Sequence, residues 1–315
     1  MENIRQIFED VKREVSQVVI GQAALLEGIV LGLMVGGHVL LEGPPGVAKT
    51  LIAKAIARSM SADFKRIQFT PDLMPLDLIG TSIFDLQKQV FVFKEGPIFT
   101  DILLADEINR TPPKTQSALL EAMEEKQVTI DGFPHRLSTI FTVLATQNPL
   151  EYEGTYPLPE AQLDRFLLKL RVSYPEIPDQ VSILKRFENG MVGASDLEKI
   201  QPVLSPERLL TLRAAIHQVR IREELLQYIA QIIQATREHP LLLLGASPRA
   251  GLHLLLVSKA YAASQGRDYV IPEDIQEICP SVLRHRLILK PEAMVDGRTS
   301  DQVIANIVVE LKVPR

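Results

Sequence analysis

The sequence predicts an α/β fold in which a parallel sheet with helices on both faces is followed by a smaller all-helical domain. Three apolar runs of strand length, 38–42, 102–106 and 141–146, each stand between helix or turn signals. A recurring order of strand, loop and helix is typical of a parallel sheet. The length of 315 residues exceeds that of a usual single domain, so two domains are expected.

Helices are predicted from apolar spacing on both sides of the first strand. Apolar residues recur at intervals of three and four over 4–18, which predicts an amphipathic helix. The segment 23–35 is apolar on most sides and ends at two glycines, which predicts a second helix. A third helix, 50–60, is predicted after a glycine-rich turn.

Two segments interrupt this order with period-two alternation around turn residues, which predicts hairpins. The apolar positions are Ile83 and Leu86 before 90–93 in the first segment, and Val128 and Ile130 before Asp131-Gly132 in the second. Hairpins of this kind could hold a substrate or partner, or serve the structure alone. The sequence leaves both interpretations open.

The boundary between the two domains is predicted near residue 178, because prolines cluster at 174–178. Beyond Pro202 the strand signals stop and helical spacing continues. Ser205-Pro206 and Ser247-Pro248 have the capping residue and first-turn proline with which helices begin. The predicted organisation is a core at 1–178, a linker at 179–202 and a helical domain at 203–315.

The charge balance and the apolar stretches exclude some classes of protein. Lys and Arg number 34 against 39 Asp and Glu, so no overall positive field is available to hold nucleic acid. The first 13 residues mix acids and bases, which is not the pattern of a signal peptide. The longest apolar stretch, 29–41, falls short of the roughly 20 residues of a membrane-spanning helix. A cytoplasmic protein with no membrane span and no nucleic-acid partner is therefore expected.

A glycine-rich loop stands between strand 38–42 and helix 50–60, the context of a phosphate-binding P-loop. Its sequence is Gly43-Pro44-Pro45-Gly46-Val47-Ala48-Lys49-Thr50. Glycines let backbone N–H groups point inward, where they and the helix N-terminus bind phosphate oxygens. Lys49 is expected to reach the β- and γ-phosphates of ATP, and Thr50 to hold Mg²⁺. The usual pattern has glycine where this chain has Ala48, and alanine is acceptable there as long as its φ stays negative.

A second motif supplies carboxylates about 60 residues after the loop. The apolar run 102–105 ends in Asp106 and Glu107, and acids beside a buried strand are costly without a cation. Because side chains alternate along a strand, the two acids can take separate roles. Asp106 is expected to bind Mg²⁺, and Glu107 to act as general base on the attacking water.

Three further polar residues are candidates for the reaction. Asn148 follows strand 141–146 and could position the water near the γ-phosphate, although asparagine before proline is also an ordinary turn signal. Arg165 stands among acids and apolar residues, and a guanidinium suits the charge of a transferring phosphoryl group. Taken alone, Arg165 would equally suit a surface ion pair. Arg249 begins a helix of the second domain and could reach the nucleotide by domain movement.

Because of these motifs, the chain resembles the MoxR group of AAA+ ATPases over most of its length. The segments that carry the resemblance are Val19-Ile20-Gly21-Gln22, the loop 43–50, Phe69-Thr70-Pro71-Asp72-Leu73, Gly96-Pro97-Ile98-Phe99, Leu104-Ala105-Asp106-Glu107-Ile108-Asn109-Arg110, Leu119-Leu120-Glu121-Ala122-Met123, Glu153-Gly154-Thr155-Tyr156-Pro157-Leu158-Pro159-Glu160 and Ser247-Pro248-Arg249-Ala250. The segments around Asp106 and Tyr156 are more specific than the phosphate loop. Alanine at position 48 is also usual in this group.

The resemblance implies roles for the candidate residues within a P-loop AAA+ core and an all-α lid. It makes Asn148 sensor 1, Arg165 an arginine finger that acts on a neighbouring subunit, and Arg249 sensor 2. The implied nucleotide-binding set is Ile20, Gly21, Gly43, Pro44, Pro45, Gly46, Val47, Ala48, Lys49, Thr50 and Leu51, with Thr50 and Asp106 on the metal. Within this set, Ile20 and Gly21 resemble the segment of the family that packs near adenine. The two hairpins resemble the helix-2 insert of the family and its hairpin before sensor 1.

Members of this group typically form hexameric rings and act as chaperone-like remodelers. They often work with proteins that carry a von Willebrand factor A domain, in metal cofactor insertion or complex maturation. The same motifs leave a magnesium-chelatase-like ATPase subunit and a DNA-directed motor open. A DNA motor needs basic hairpins, whereas the first tip offers only Lys88, and the second His135 and Arg136. A nucleotide-dependent scaffold with little turnover is disfavoured by Glu107 and Arg165.

Overall fold

The computed structural model describes residues 2–149, 154–190 and 196–314. Glu153 of the Tyr156 segment and part of the predicted linker lie outside these residues. The strands are β1 (His38–Glu42), β2 (Phe64–Gln68), β3 (Gly80–Asp85), β4 (Val90–Glu95), β5 (Ile102–Asp106), β6 (Gln127–Ile130), β7 (Phe133–Arg136), β8 (Thr142–Gln147), β9 (Phe166–Arg171), β10 (Leu242–Leu244) and β11 (Ile288–Leu289). The helices are α1 (Glu2–Ser16), α2 (Ala23–Val35), α3 (Lys49–Ser59), α4 (Pro75–Ile79), α5 (Pro113–Glu125), α6 (Glu160–Leu163), α7 (Ile177–Glu188), α8 (Pro206–His217), α9 (Glu223–Glu238), α10 (Pro248–Ser264), α11 (Pro272–Leu283), α12 (Pro291–Val295) and α13 (Ser300–Glu310).

Within the described residues, five parallel strands form the central sheet in the order β2-β5-β8-β1-β9. The three central strands are apolar and buried, as their sequences predict. The sequence prediction omits the two edge strands, β2 and β9. The C-terminal ends of β1, β5 and β8 lie side by side at one edge of the sheet, where Glu42 pairs with Gln147. That edge carries the phosphate loop and the two acids.

The second domain has the predicted helices and, in addition to them, one short two-stranded sheet. Ser205 and Ser247 cap α8 and α10 by accepting hydrogen bonds from the backbone N–H groups of Arg208 and Ala250. The short strands β10 and β11 pair antiparallel within this domain. The predicted linker 179–202 holds most of α7 and a 3-10 turn, Asp196–Lys199.

The helical domain shares one hydrophobic core with the domain that contains the central sheet. Buried side chains of α1, α2 and α3 belong to the same cluster as those of α10 and α11. Polar contacts also cross the boundary, since Arg213 donates to the backbone oxygen of Leu33 and Arg286 to the carboxylate of Asp164. In this structure the second domain is therefore packed against the α2 and β9 side of the sheet.

Two hairpins project from the core at the predicted positions. The first pairs β3 with β4 and the second β6 with β7. Leu86 lies in the turn of the first hairpin, not in a strand. Asp131 and Gly132 at the second turn have φ values of 51° and 83°, the left-handed pair that a two-residue hairpin turn requires. The hairpins contact each other, since Ser82 Oγ donates to the Asp131 carboxylate at 2.5 Å.

None of the helices described has both the length and the apolar character that crossing a bilayer requires. The most apolar of these helices, α2, has 13 residues, which is fewer than the roughly 20 residues that a membrane span needs.

Candidate nucleotide-binding site

The phosphate loop occupies the turn between β1 and α3. Its first residue is fixed by close packing, because a Cβ on Gly43 would lie 2.4 Å from the backbone oxygen of Val172. The Gly43 N–H donates to the backbone oxygen of Gln147 at 3.2 Å, which ties the loop to β8. Gly46 has a φ of 79° and open space beside it. The N-terminus of α3 therefore faces a backbone turn of the kind that binds phosphate.

Ala48 does not have the negative φ that the sequence analysis expects of it. Its φ is 60° and its ψ 20°, which is the left-handed region, whereas alanine was acceptable on the expectation of a negative φ. An L-residue other than glycine in this region costs about 1–2 kcal/mol. Backbone strain of this kind is concentrated at functional sites, and here it precedes Lys49. The Lys49 ammonium donates to the backbone oxygen of Gly43 at 2.8 Å.

Asp106 lies at the end of β5 with its carboxylate held on both oxygens. Thr146 Oγ1 donates to Asp106 Oδ1 at 2.6 Å, and Arg66 Nη2 donates to Asp106 Oδ2 at 2.7 Å. Arg66 belongs to β2, which neighbours β5. The guanidinium thus supplies the positive charge that a carboxylate at the end of a buried strand requires.

Glu107 has a strained backbone and a well-defined carboxylate. Its φ of 57° lies in the left-handed region, and its N–H donates to Thr146 Oγ1 at 2.8 Å. The carboxylate accepts a hydrogen bond from Gln68 at 2.6 Å and forms an ion pair with Arg110 at 3.1 Å. The Thr146 hydroxyl therefore connects both acids, while Gln68 and Arg110 hold Glu107 in one position.

The residues at this edge fit Mg-ATP. An open backbone cradle, a lysine and a helix N-terminus suit phosphates, and a hydroxyl and a carboxylate suit Mg²⁺. Among the described residues, no group of three His, Cys, Asp or Glu could hold a metal by itself. In proteins, Mg²⁺ usually binds one or two carboxylates and completes its coordination shell with phosphate oxygens and water.

The predicted adenine segment lies next to the loop. A Cβ on Gly21 would lie 2.6 Å from the Asp179 carboxylate of α7, and Gln22 Nε2 donates to the backbone oxygen of Ser173. Ser173 follows Val172, the residue packed against Gly43. Ile20 is half-buried in the same segment. The structure therefore brings the two predicted halves of the nucleotide pocket to the same short stretch after β9.

Asn148 follows β8 at the same sheet edge and is buried, with 5% of its surface exposed. Strand β8 lies between β5 and β1, so Asn148 stands between the acids and the phosphate loop. This position agrees with a residue that orients the attacking water.

Arg165 and Arg249 lie at the other edge of the sheet. Both line a small cleft with His38, the first residue of β1, while the phosphate loop follows the last residue of that strand. A five-residue strand spans roughly 13 Å. In this structure, therefore, both arginines lie at the end of β1 away from the phosphate loop of the same chain. Both bind Glu124, Arg165 at 3.0 Å and Arg249 at 2.8 Å.

The two histidines of this cleft are neutral at physiological pH. Burial lowers the pKa of His38 to about 4, and burial with the nearby Arg286 lowers the pKa of His253 to about 3. His38 also bonds the backbone of Met123 and Val143. The positive charge of the cleft thus comes from the arginines.

Comparison with known proteins agrees with this geometry. Residues 38–168 match the family model "ATPase family associated with various cellular activities (AAA)", and residues 234–307 match the AAA lid domain. The chain is 43% identical over 311 residues to Chaperone MoxR1 of Mycobacterium tuberculosis, covering 96% of this chain and 81% of that protein. The chain belongs to the MoxR family of AAA+ ATPases. This membership makes the chain an ATPase and confirms the predicted fold class.

Two further relatives extend the match over nearly the whole chain. Uncharacterized protein YeaC of Bacillus subtilis is 46% identical over 313 residues, covering 99% of this chain and 97% of that protein. A crystal structure of a proposed ATPase from Cytophaga hutchinsonii has a TM-score of 0.92 and 44% identity, covering 99% of this chain and 96% of that one. The MoxR architecture thus includes both domains of the chain.

Five residues of the two sites have no role predicted from the sequence. They are Arg66, Gln68, Arg110, Thr146 and Glu124. Arg110 lies three residues after its partner Glu107, within a predicted motif. Thr146 lies in a predicted strand, but its contacts with the two acids depend on which strands are neighbours. The unpredicted edge strand β2 supplies the other two residues that contact the acids.

The Thr146 hydroxyl gives the first prediction. In Thr146→Val, Asp106 loses a donor and the Glu107 N–H loses its acceptor, so both acids are less well placed. We expect ATP hydrolysis to fall about 10²-fold, since small misplacements of reacting groups have effects of this size, while binding of a fluorescent ADP is retained. Thr142→Val is the control, because Thr142 is buried on the same strand but donates to the backbone oxygen of Ile140. Equal rates for both variants would contradict the role of Thr146.

Proposed function

We propose that the chain hydrolyses Mg-ATP at an interface between two copies and uses the cycle to remodel protein clients. The observation that carries this proposal is the separation of the phosphate loop from Arg165 and Arg249 by the length of β1. A second copy could bring its arginines to the nucleotide. A head-to-tail contact of this kind closes into a ring when the rotation allows, and a hexamer is the expected size.

We call the sheet edge that carries the phosphate loop, Asp106, Glu107 and Asn148 the nucleotide edge, and each of its residues has a role in this proposal. Lys49 and the loop N–H groups bind the phosphates, Glu107 accepts a proton from water, and Asn148 orients that water. Thr50 and Asp106 would hold Mg²⁺, which offsets the negative charge of the phosphates when bound. For Glu107 to act as a base, its contacts with Gln68 and Arg110 must exchange for a contact with water.

We call the opposite sheet edge, where Arg165 and Arg249 lie, the arginine edge. In this proposal, the arginine edge of a neighbouring copy completes the site. Arg165 and Arg249 lie within one cleft and share Glu124, so one docking event would deliver both. Guanidinium groups stabilise the charge on a transferring phosphoryl group. We therefore assign Arg165 the role of arginine finger, and Arg249 that of sensor 2 acting on the same neighbouring nucleotide.

An exposed helix face supports self-assembly beside the nucleotide pocket. In α7, the side chains of Ile177, Leu184 and Phe187 are mostly exposed, although apolar residues at helical spacing normally face a partner. Arg186 of this helix donates to the backbone oxygen of Gln17, close to the adenine segment. A second copy that covers this face of α7 would also lie beside the nucleotide site that we propose to be shared between two copies. For this reason we propose that a second copy of the chain binds this face.

The hairpins favour protein clients over DNA. Phe91 and Phe133 are 74% and 70% exposed, and with Phe93, Ile130 and His135 they line a cleft between the two hairpins. Exposed apolar clefts bind apolar polypeptide segments. A DNA track needs a row of positive charges, and the net charge of −5 does not favour one.

Kinship suggests where such remodelling would be used. We propose that the clients are protein complexes under maturation, including those that receive a metal cofactor, and that a protein with a von Willebrand factor A domain assists. A role as a magnesium-chelatase-like subunit is the alternative, and it would use the same ATP site. A cytoplasmic location agrees with both.

Mixed assemblies test the shared site. Glu107→Gln should bind ATP but hydrolyse it poorly, and Arg165→Ala should lose activity about 10³-fold or more. In a mixture, an Arg165→Ala subunit can receive Arg165 from a Glu107→Gln neighbour. We therefore expect the mixture to hydrolyse ATP faster than either variant alone.

A mixture of Lys49→Ala and Glu107→Gln, both altered at the nucleotide edge, is the control without recovery. Absence of recovery in the first mixture, with subunit exchange verified by fluorescence transfer, would contradict shared sites.

The α7 face gives a prediction about assembly. In Phe187→Glu, a charge replaces an exposed apolar side chain, so the fold is kept but the contact with a second copy is weakened. We expect smaller assemblies in analytical ultracentrifugation and an ATPase rate that recovers at high protein concentration. Val309→Glu on α13 is the control, since Val309 is also mostly exposed. Unchanged assembly of Phe187→Glu would rule out this face as the contact.

The hairpin cleft gives a prediction about clients. We expect casein, an unfolded polypeptide, to raise the ATPase rate and DNA to leave it unchanged. In Phe91→Ser with Phe133→Ser the basal rate is kept and the stimulation is lost, because the apolar cleft is removed. Lys88→Ser, at the tip of the first hairpin, is the control that keeps the stimulation. A rate that rises with DNA and depends on Lys88 would favour the motor.

A further inference from the structure

The carboxylate of Glu124 binds both Arg165 and Arg249 in the small cleft that the two arginines line with His38. We propose that Glu124 is a positioning residue that holds Arg165 and Arg249 side by side for the nucleotide of a neighbouring copy. This inference rests on the proposed function, and it assigns a role to a residue outside every motif considered above.

The geometry shows how the carboxylate is divided between the two partners. Glu124 Oε2 accepts from Arg165 Nη2 at 3.0 Å, and Glu124 Oε1 accepts from Arg249 Nη2 at 2.8 Å. Arg165 precedes β9 of the core, whereas Arg249 lies in the first turn of α10 in the helical domain. The bridge therefore joins the two domains at the point where both arginines must act together.

Electrostatics explain why a carboxylate is needed there. Of the described residues that line the cleft, Glu124 alone carries a negative charge, because the others are the two arginines, Met123 and the histidines His38 and His253. Both histidines are neutral, since burial lowers the pKa of each. Two guanidinium groups that bind the same carboxylate repel each other, and Glu124 lies between them. Without its charge, the arginines would separate.

The bridge is also exchangeable. The side chains of Arg165, Glu124 and Arg249 are 30%, 39% and 42% exposed, so water and salt screen each pair and the bonds are weak. A guanidinium has five N–H donors in a fixed fork. An arginine bonded to Glu124 can therefore still present donors to a phosphate, and the charge of a triphosphate can compete for it.

Holding the arginines in advance favours the reaction and not the binding of ATP. A free arginine samples many rotamers, and ordering it costs free energy when it meets the transition state. Loss of Glu124 should thus lower kcat at the neighbouring nucleotide. It should leave unchanged the affinity of the subunit's own phosphate loop, which lies at the opposite edge of the sheet.

Glu124→Gln tests the positioning role, with Glu125→Gln as the matched control. Glu125 is the next residue of α5, is exposed, and undergoes the same change of charge. We expect kcat of Glu124→Gln to fall about 10-fold, as for a lost positioning contact, with fluorescent ADP affinity and melting temperature unchanged. Glu124→Asp keeps the charge with shorter reach, so its kcat should lie between. Glu125→Gln should match the unaltered chain. An unchanged or raised kcat in Glu124→Gln would overturn the proposal.

Mixing locates the defect at the arginine edge. A mixture of Glu124→Gln with Glu107→Gln should recover activity, because the Glu107→Gln subunits carry an intact arginine edge. A mixture of Glu124→Gln with Arg165→Ala should not recover, because both variants are altered at that edge. The mixture of Arg165→Ala with Glu107→Gln is the reference. If the reference recovers and the Glu124 mixture does not, the role of Glu124 is wrong; if neither recovers, the shared site itself is wrong.

Discussion

The common direction of the five strands is the constraint on which the site depends. Because β1, β5 and β8 are parallel neighbours, their C-terminal ends bring the phosphate loop, the acids and Asn148 to one edge. The same geometry sends the start of β1 and the start of β9 to the opposite edge, with Arg165. The phosphate loop and Arg165 therefore lie at opposite edges of the sheet within one chain, which is why we propose that two neighbouring copies each supply one half of the site.

The charged groups of each half have oppositely charged or hydrogen-bonding partners within the single chain. Asp106 pairs with Arg66, Glu107 contacts Gln68 and Arg110, and the distal arginines share Glu124. These pairs are partly exposed, and exposed ion pairs contribute only about 0.2–1 kcal/mol. Metal, water and phosphate can therefore replace the internal partners without a large loss of stability. The positive φ of Ala48 and Glu107 shows that the backbone at the nucleotide edge is held in costly conformations.

The sequence predicts this arrangement where local signals suffice. The central strands, the glycine-rich turn between β1 and α3, the hairpin with Asp131-Gly132 and the capped helices at Ser205 and Ser247 follow from apolar period, turn chemistry and capping, and the structure confirms these elements. Edge strand β2 is half exposed and carries Lys65, Arg66 and Gln68, so its pattern is not that of a buried strand. The roles of Gln68, Thr146 and Glu124 depend on strand order and domain packing, which no local signal contains. The φ of Ala48 is likewise set by the loop as a whole.

The most direct measurement is the structure of assembled Glu107→Gln with ATP and Mg²⁺ bound. The account predicts that a guanidinium N–H group of Arg165 from a neighbouring copy lies about 3 Å from an oxygen of the γ-phosphate. It further predicts that Arg249 of the same copy lies beside that arginine. A γ-phosphate contacted only by residues of its own chain, with both arginines still at the far edge of every sheet, would contradict it.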